Sequence, residues 1–213
     1  MRWLLIIGAS LASSTAVDLS VNLAAAQAAQ VAAPRVVLDN PRARVYRTTA
    51  ESLSRVEHGP AVVVSLENGP EGDAGSAVRL EDAATPSGTS HVRGTVVVIQ
   101  PRRARPWRAP QAGSKPGDTP FTGMSFTPMF ENDRVSVIRA RMEVGAREGF
   151  HTHGSDTIVV HLSGGEIEDT ADGKSLVHRW KRGDVEFEGV GTSHSARNVG
   201  DAVDVVLVAL KPQ

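Results

Sequence analysis

From residue 35 onward, apolar residues occur in short runs rich in valine and isoleucine, and glycine, asparagine, aspartate or proline separates the runs. Almost no segment keeps the period of an amphipathic helix, whereas short β-branched runs between turn-forming residues are typical of strands. Strands are predicted at residues 44–47, 61–66, 77–80, 92–100, 134–142, 157–162, 166–169, 176–180, 185–188 and 202–210. Many short strands at this spacing predict an all-β fold, either a sandwich or a barrel.

Residues 101–122 divide the predicted strands into two groups. This segment is rich in proline and arginine, a composition that predicts a solvated linker, although a lid or a partner-docking segment is the alternative. We therefore expect one folded unit at residues 35–100 and another at residues 123–213.

The two groups of strands resemble each other in sequence. Three pairs of segments match in the same order: Asn40-Pro-Arg with Asn132-Asp-Arg, residues 62–69 (VVVSLENG) with 158–165 (IVVHLSGG), and GTSH at 88–91 with GTSH at 191–194. An internal repeat of this length indicates a duplicated unit rather than two unrelated ones. The prediction is a repeated barrel.

The N-terminal residues have the pattern of a secretory signal peptide. Arg2 precedes an apolar run at residues 3–11, and small residues follow up to residue 33, with cleavage expected after Ala26 or Ala28. The apolar run is much shorter than the ~20 residues that span a bilayer. We therefore assign residues 1–28 to the signal and expect a periplasmic or secreted protein with no membrane association after cleavage. An uncleaved N-terminal helix is the alternative.

Composition restricts the chemistry that remains. The formal net charge is -1, so no overall field attracts nucleic acid or an anionic membrane. The chain has no cysteine, which excludes disulfides and thiolate metal ligands. A bound metal would have to use His, Asp, Glu or backbone oxygen.

Three histidines form the candidate metal site. His151 and His153 are two residues apart, so on a strand both imidazoles leave the same face and can point at one ion. His194 can supply a third ligand from another strand after the turn at Gly189 to Gly191. Three imidazoles leave positions for water, substrate or dioxygen, as a catalytic metal requires.

Residues 134–212 resemble type-2 cupin domains through two spaced motifs. The first, G-x5-H-x-H-x3,4-E-x6-G, is matched by Gly145, His151, His153, Thr157 in place of glutamate, and Gly164. The second, G-x5-P-x-G-x2-H-x3-N, is matched by Gly183, Gly189 in place of proline, Gly191, His194 and Asn198.

The resemblance implies a cupin double-stranded β-helix, or jelly-roll barrel, of the RmlC-like kind. With the repeat it implies a bicupin-like chain whose first half is degenerate, since the His-x-His pair occurs in the second half alone. It also implies one divalent transition metal, with Fe, Zn, Ni, Cu and Mn all open. Thr157 removes the carboxylate that usually serves as a fourth ligand, and a shell of neutral imidazoles favours Fe, Zn, Ni or Cu over Mn.

Two further residues near the motif are candidates. Alternation along the strand points Asp156 away from the metal, so it is a ligand only if a bulge turns it inward, and otherwise it is a solvated carboxylate. His161 is four residues after Thr157, so on a strand both side chains leave the same face and His161 should face the interior. It lies too far from the metal position to replace the glutamate that is absent at residue 157. We assign it a catalytic role in the pocket, as a general base or a group that polarises a substrate oxygen. An interior histidine bonded to a backbone carbonyl is the alternative.

The expected function is binding or chemistry on a small molecule at the metal, with an oxygenase, isomerase or lyase as the enzyme classes. Two alternatives come from other classes: a non-enzymatic small-ligand-binding or sensor barrel, and a metal-free structural barrel that forms a homodimer through its sheet face. Fold alone does not choose among them.

Overall fold

A computed structural model describes residues 33–67, 77–80, 92–102 and 120–211. The predicted signal peptide, most of the predicted linker and the first GTSH segment lie outside these residues. Apart from one 3-10 helix at Ala50–Arg55, the regular structure of the described residues consists of strands. The all-β prediction is therefore confirmed. None of the described helices is long and apolar enough to cross a membrane.

The first sheet is formed by the N-terminal part of the described chain. Its strands are β1 (Arg35–Asp39), β2 (Ala43–Thr49), β3 (Ala61–Ser65), β4 (Ala77–Leu80) and β5 (Thr95–Pro101). They lie in the order β1-β2-β5-β3-β4, and every neighbouring pair is antiparallel.

The second sheet is formed by the C-terminal part. Its strands are β6 (Thr122–Glu131), β7 (Val135–Thr152), β8 (Asp156–His161), β9 (Gly165–Ala171), β10 (Lys174–Trp180), β11 (Val185–Glu188), β12 (Ser193–Asn198) and β13 (Val203–Leu210). The order is β10-β9-β12-β7-β13-β8-β11, and β6 pairs with β7 beside this path. The first half of β7 pairs with β13 and its last residues pair with β12. The long strand β7 therefore joins the two sides of a curled antiparallel sheet.

The first sheet repeats the strand order and register of part of the second. The order β1-β2-β5-β3-β4 corresponds strand by strand to β6-β7-β13-β8-β11. Val62 lies opposite Ile99, and at the corresponding positions Ile158 lies opposite Val208. Both β1–β2 and β6–β7 shift register at the corresponding place.

The turns that follow β1 and β6 are also alike. The side-chain oxygen of Asn40 accepts the backbone N–H groups of Arg42 and Ala43 at 2.8 and 2.9 Å. The side-chain oxygen of Asn132 accepts those of Arg134 and Val135 at 2.7 and 2.9 Å. The sequence match at these asparagines therefore reflects one turn geometry used twice.

One apolar core lies between the two sheets. It consists of side chains that project from one face of each sheet. The first sheet contributes Ala43, Val45, Val62, Val64, Leu66, Val97 and Ile99, and the second contributes Val135, Val137, Ile158, Val160, Leu162, Val206, Val208 and Leu210. Because side chains alternate along a strand, the intervening residues of the second sheet face away from this core. That other face is the concave one and contains the candidate site.

Most predicted strands are present with shifted ends. The prediction missed β1, β6 and β12, and it ended β7 at residue 142, ten residues before its end at Thr152. The predicted linker also included Pro101 and Thr122, which belong to β5 and β6.

Candidate metal centre

The candidate centre lies where β7 ends and β12 begins. His151 on β7 and His194 on β12 are directly opposite each other in the antiparallel pairing. His153 follows the end of β7, and its backbone N–H donates to the carbonyl of Thr192 at 2.9 Å. In the return bond, the N–H of Gly191 donates to the carbonyl of His153 at 2.9 Å. These main-chain bonds hold the three histidines around one point.

The three imidazole rings face one another closely. The ring centroids of His151, His153 and His194 are 4.8 to 4.9 Å apart in each pair. One ligand nitrogen from each ring lies within 4.8 Å of the other two. The Nε2 atoms of His153 and His194 are 3.0 Å apart. The structure thus brings together the three predicted ligands.

Each Nδ1 atom faces an acceptor on the outer side of its ring. The Nδ1 of His151 lies 2.9 Å from the carbonyl of Gly149, and that of His194 lies 2.7 Å from Oδ1 of Asp169. The Nδ1 of His153 faces Oε2 of Glu188 at 3.5 Å. A ring whose Nδ1 donates to such an acceptor has its lone pair on Nε2, the nitrogen that can then bind a metal.

This donor set fits a divalent transition metal. Two nitrogens bound to one ion at about 2.0–2.1 Å and at about 90° to each other lie about 3 Å apart, close to the separation of His153 and His194. Burial, then the neighbouring imidazoles of His194 and His151, lowers the pKa of His153 to about 4. At neutral pH its ring is therefore uncharged, which is the form that binds a metal.

The fold follows from these observations. A curled antiparallel sheet carries three histidines at the spacing of both motifs, and they converge on its concave face. The second sheet has the cupin fold. Three motif glycines require their residue type: Gly145, Gly183 and Gly191 have φ angles of +75°, +80° and +83°, a region that residues other than glycine rarely adopt.

Comparisons with known proteins found similar solved structures for part of the chain. No family model matches the chain, and no curated protein is significantly similar to it. Similar solved structures include a cupin domain from Bordetella pertussis Tohama I, with 26% identity, 44% of this chain and 98% of that chain covered, and a TM-score of 0.40. An RmlC-like cupin protein from Desulfovibrio desulfuricans has 25% identity, 40% and 81% coverage, and a TM-score of 0.34. KdgF from Halomonas sp. has 20% identity, 43% and 80% coverage, and a TM-score of 0.36.

A small cavity of about 90 Å³ lies inside the cupin barrel. Apolar side chains form most of its wall: Met124, Phe126, Ala140, Met142, Val159, Ile167, Val203, Val205 and Leu207. The polar part of the wall consists of three carboxylates and one imidazole, from Glu148, Glu186, Glu188 and His161. Among the described lining residues there is no lysine or arginine to balance the carboxylates.

Two of the carboxyl groups of this cavity, those of Glu148 and Glu188, are largely buried and lie near other acidic groups. Burial, then the charges of Glu186, Glu148 and Asp169, raises the pKa of Glu188 to about 8. Burial also raises the pKa of Glu148, against the opposing effect of the histidines. Burial and mutual repulsion thus disfavour the charged form of these carboxyl groups, and a bound cation would favour it.

His161 faces the cavity, as its parity predicts. Its side chain is 1% exposed and stacks on the ring of Trp180, with ring centroids 4.5 Å apart. Neither ring nitrogen has a hydrogen-bond partner within the described structure, and the nearest carboxylate oxygen, Oε2 of Glu186, is 3.8 Å from Nε2. Among the described residues, no backbone carbonyl accepts a hydrogen bond from this ring, in contrast to the alternative interpretation.

Asp156 is not part of the histidine group. Its carboxylate accepts a hydrogen bond from the guanidinium of Arg42, in the turn between β1 and β2, and another from the backbone N–H of Val190 at 2.9 Å. No bulge turns the side chain toward the metal position, because β8 pairs without a register shift with both β11 and β13. The side chain joins the two sheets instead of facing the centre.

Four acidic residues around the centre were not assigned from the sequence. Asp169 and Glu188 face the outer nitrogens of two histidines, Glu186 lies beside His161, and Glu148 lines the cavity. For Glu186 and Glu188 the alternation of β11 was an available signal, because Val185 and Phe187 point into the core between the sheets. Asp169 and Glu148 are brought to the centre by the pairing of β12 with β9 and β7, which the local sequence does not show.

Proposed function

We propose that this protein binds one divalent transition metal through His151, His153 and His194 and uses it to bind and transform a small molecule inside the barrel. The observation that carries the proposal is the convergence of one ligand nitrogen from each of the three rings, while the Nδ1 atom of each ring faces a carbonyl or carboxyl oxygen. When bound, such a metal supplies Lewis acidity or a site for dioxygen. An oxygenase, isomerase or lyase is the activity class.

The cavity limits the size and charge of the ligand. Its volume of about 90 Å³ is well below the 300–1,000 Å³ typical of sites for drug-sized ligands. The wall is largely apolar, and its described polar residues are three carboxyl groups and one imidazole, with no lysine or arginine to pair with an anion. We therefore propose a small ligand that is neutral or cationic and partly apolar.

His161 is the residue of this chain that we propose to contact the ligand. Its ring lines the cavity with both nitrogens unbonded, and stacking on Trp180 fixes the plane of the ring. A buried unbonded imidazole gains a hydrogen bond when a ligand hydroxyl, carbonyl or amine enters. The role would be to orient that group or to exchange a proton with it.

Metal analysis of the purified protein tests the central proposal. The wild type should carry close to one equivalent of a transition metal after reconstitution, and a His151→Ala, His153→Ala double variant should carry almost none. Equal metal in both proteins would refute the site. With the metal in place, turnover of small neutral or amine substrates, with oxygen uptake as one readout, would separate an enzyme from a ligand sensor.

We also propose that the chain is exported, on the strength of its N-terminal sequence alone. The apolar run at residues 3–11 and the small residues before Ala28 have the order of a cleavable signal. Expression of the full chain followed by cell fractionation and mass determination should give a protein that starts after Ala26 or Ala28. A full-length protein in the cytosolic fraction would contradict the proposal.

The first sheet is, in our proposal, a degenerate copy of the metal-bearing half. Identical strand order, corresponding register shifts and the two asparagine turns support a duplication. Asn40→Ala and Asn132→Ala each remove an acceptor for two backbone N–H groups, so each should lower the free energy of unfolding by about 1–2 kcal/mol. A cost at one turn and none at the other would argue against equivalent roles.

A further inference from the structure

A β-bulge next to the metal position changes the direction of Glu148. In the pairing of β7 with β12, His151 lies opposite His194 and Glu148 lies opposite Ala196. Two residues of β7, Gly149 and Phe150, therefore stand against one residue of β12. The extra residue reverses the alternation of side chains along β7. Glu148 and His151 are three residues apart, yet they face the same side of the sheet.

The carboxylate of Glu148 lies on the metal side of His151. Its Oε1 is 3.6 Å from Nε2 of His151, while the Nδ1 of that ring is directed at the carbonyl of Gly149. An oxygen and a nitrogen bound to one ion at about 2.0–2.2 Å and at about 90° lie about 3 Å apart. The observed separation is longer than this, so binding requires the Glu148 side chain to move toward the centre; among the described residues, the ligand atoms that lie within 4.8 Å of one another belong to the three histidines.

The other nearby carboxylates face different atoms. Asp169 and Glu188 lie at the outer Nδ1 atoms of His194 and His153. Asp156 is bonded to Arg42 and Val190. Among these described carboxylates, that of Glu148 is therefore the one that lies near a histidine Nε2 atom.

We propose that Glu148 is the fourth protein ligand of the centre and supplies from β7 the carboxylate that residue 157 lacks. This inference rests on the proposed metal function. Thr157 itself lies directly opposite Glu188 in the pairing of β8 with β11, so a glutamate there would place two carboxylates side by side. An oxygen ligand lowers the net charge of the centre and makes it more suitable for harder ions such as Mn²⁺.

Metal affinity of the purified protein tests the inference without an activity assay. The wild type and two variants are titrated with Mn²⁺ and Zn²⁺ in competition with a chromophoric chelator. Glu148→Gln keeps the size of the side chain but removes its charge, and Glu148→Ala removes the carboxylate and the methylenes that carry it. Both variants should bind Mn²⁺ at least 10-fold more weakly than the wild type, with a smaller loss for Zn²⁺. Glu143→Gln is the matched control, since Glu143 is on the same strand with its side chain 57% exposed, and it should stay within about twofold.

The outcomes separate this inference from the proposed function. If both Glu148 variants bind Mn²⁺ within about twofold of the wild type while His151→Ala loses binding, Glu148 is not a ligand but the histidine centre stands. An equal loss in Glu143→Gln would also overturn the inference, because it would show a general charge effect. If His151→Ala binds as well as the wild type, both proposals fail. Far-ultraviolet circular dichroism of each variant confirms that the comparison is between folded proteins.

Discussion

In the absence of metal, Glu188→Gln should have a higher free energy of unfolding than the wild type at alkaline pH, and nearly the same value at acidic pH. Burial and the charges of Glu186, Glu148 and Asp169 raise the pKa of Glu188 from 4.5 to about 8. Between these values the folded chain keeps a proton that the unfolded chain has released. The free energy of unfolding therefore falls as the pH rises from 4.5 to 8 and is level above that range.

The size of the effect follows from the difference between the two pKa values. At 1.36 kcal/mol per pH unit, a rise from 4.5 to about 8 corresponds to about 5 kcal/mol. The Glu188 side chain is 20% exposed, so water reduces this upper bound. Glutamine is neutral at every pH and abolishes the cost. We expect the variant to gain about 2–5 kcal/mol over the wild type at pH 8.5, and less than about 1 kcal/mol at pH 5.

Urea unfolding in the presence of a chelator measures this difference. The wild type, Glu188→Gln and the exposed control Glu143→Gln are compared at pH 5 and pH 8.5, with fluorescence of the tryptophans as the signal. The control should show the same small difference from the wild type at both pH values. A Glu188→Gln protein that is no more stable than the wild type at pH 8.5, or whose gain is equal at the two pH values, would refute the reasoning.

Three further changes probe the surroundings of the centre. Asp156→Asn breaks the ion pair with Arg42 and should cost about 3 kcal/mol in urea unfolding, while metal affinity stays within about twofold. Gly183→Ala should lower the melting temperature more than Gly191→Ala. Both glycines have positive φ, but a Cβ added at Gly183 would lie 2.7 Å from a side chain of the first half of the chain, whereas one added at Gly191 would have no atom within 4 Å. Asp169→Ala frees the ring of His194 and should weaken metal binding in the chelator competition by about 10-fold.

The strands that could be predicted are those whose own residues carry the signal. Valine-rich runs such as β3 and β13 are buried on both faces or alternate clearly, so composition and period suffice. Strand β12 reads SHSARN, which lacks any apolar alternation, and β6 contains Pro128 and is mostly exposed. Both strands are defined by pairing with β7. Such pairing depends on residues far away in the sequence and is invisible in a local window.

The residues of the candidate site also divide into those that the local sequence predicts and those that depend on distant parts of the chain. The three histidines could be predicted because their spacing belongs to the strand geometry itself. Alternation also puts Asp156 on the face away from them, but its partner Arg42 is 114 residues distant and nothing in the local sequence names it. Glu148 was missed for a different reason. Two-residue alternation assigns it to the face opposite His151, and the bulge that reverses this assignment becomes visible only in the register between β7 and β12.

The first half of the chain has a physical role although it lacks the His-x-His pair. The core between the sheets takes corresponding positions from each half, Val62 with Ile158 and Ile99 with Val208 among them, so the two sheets cover each other through equivalent faces. Without the first sheet, the sheet that carries the three histidines would expose the apolar face of this core to water, which favours association. The homodimer considered from the sequence would use this same sheet face. In the folded chain the first sheet covers this face, and the homodimer stays a prediction.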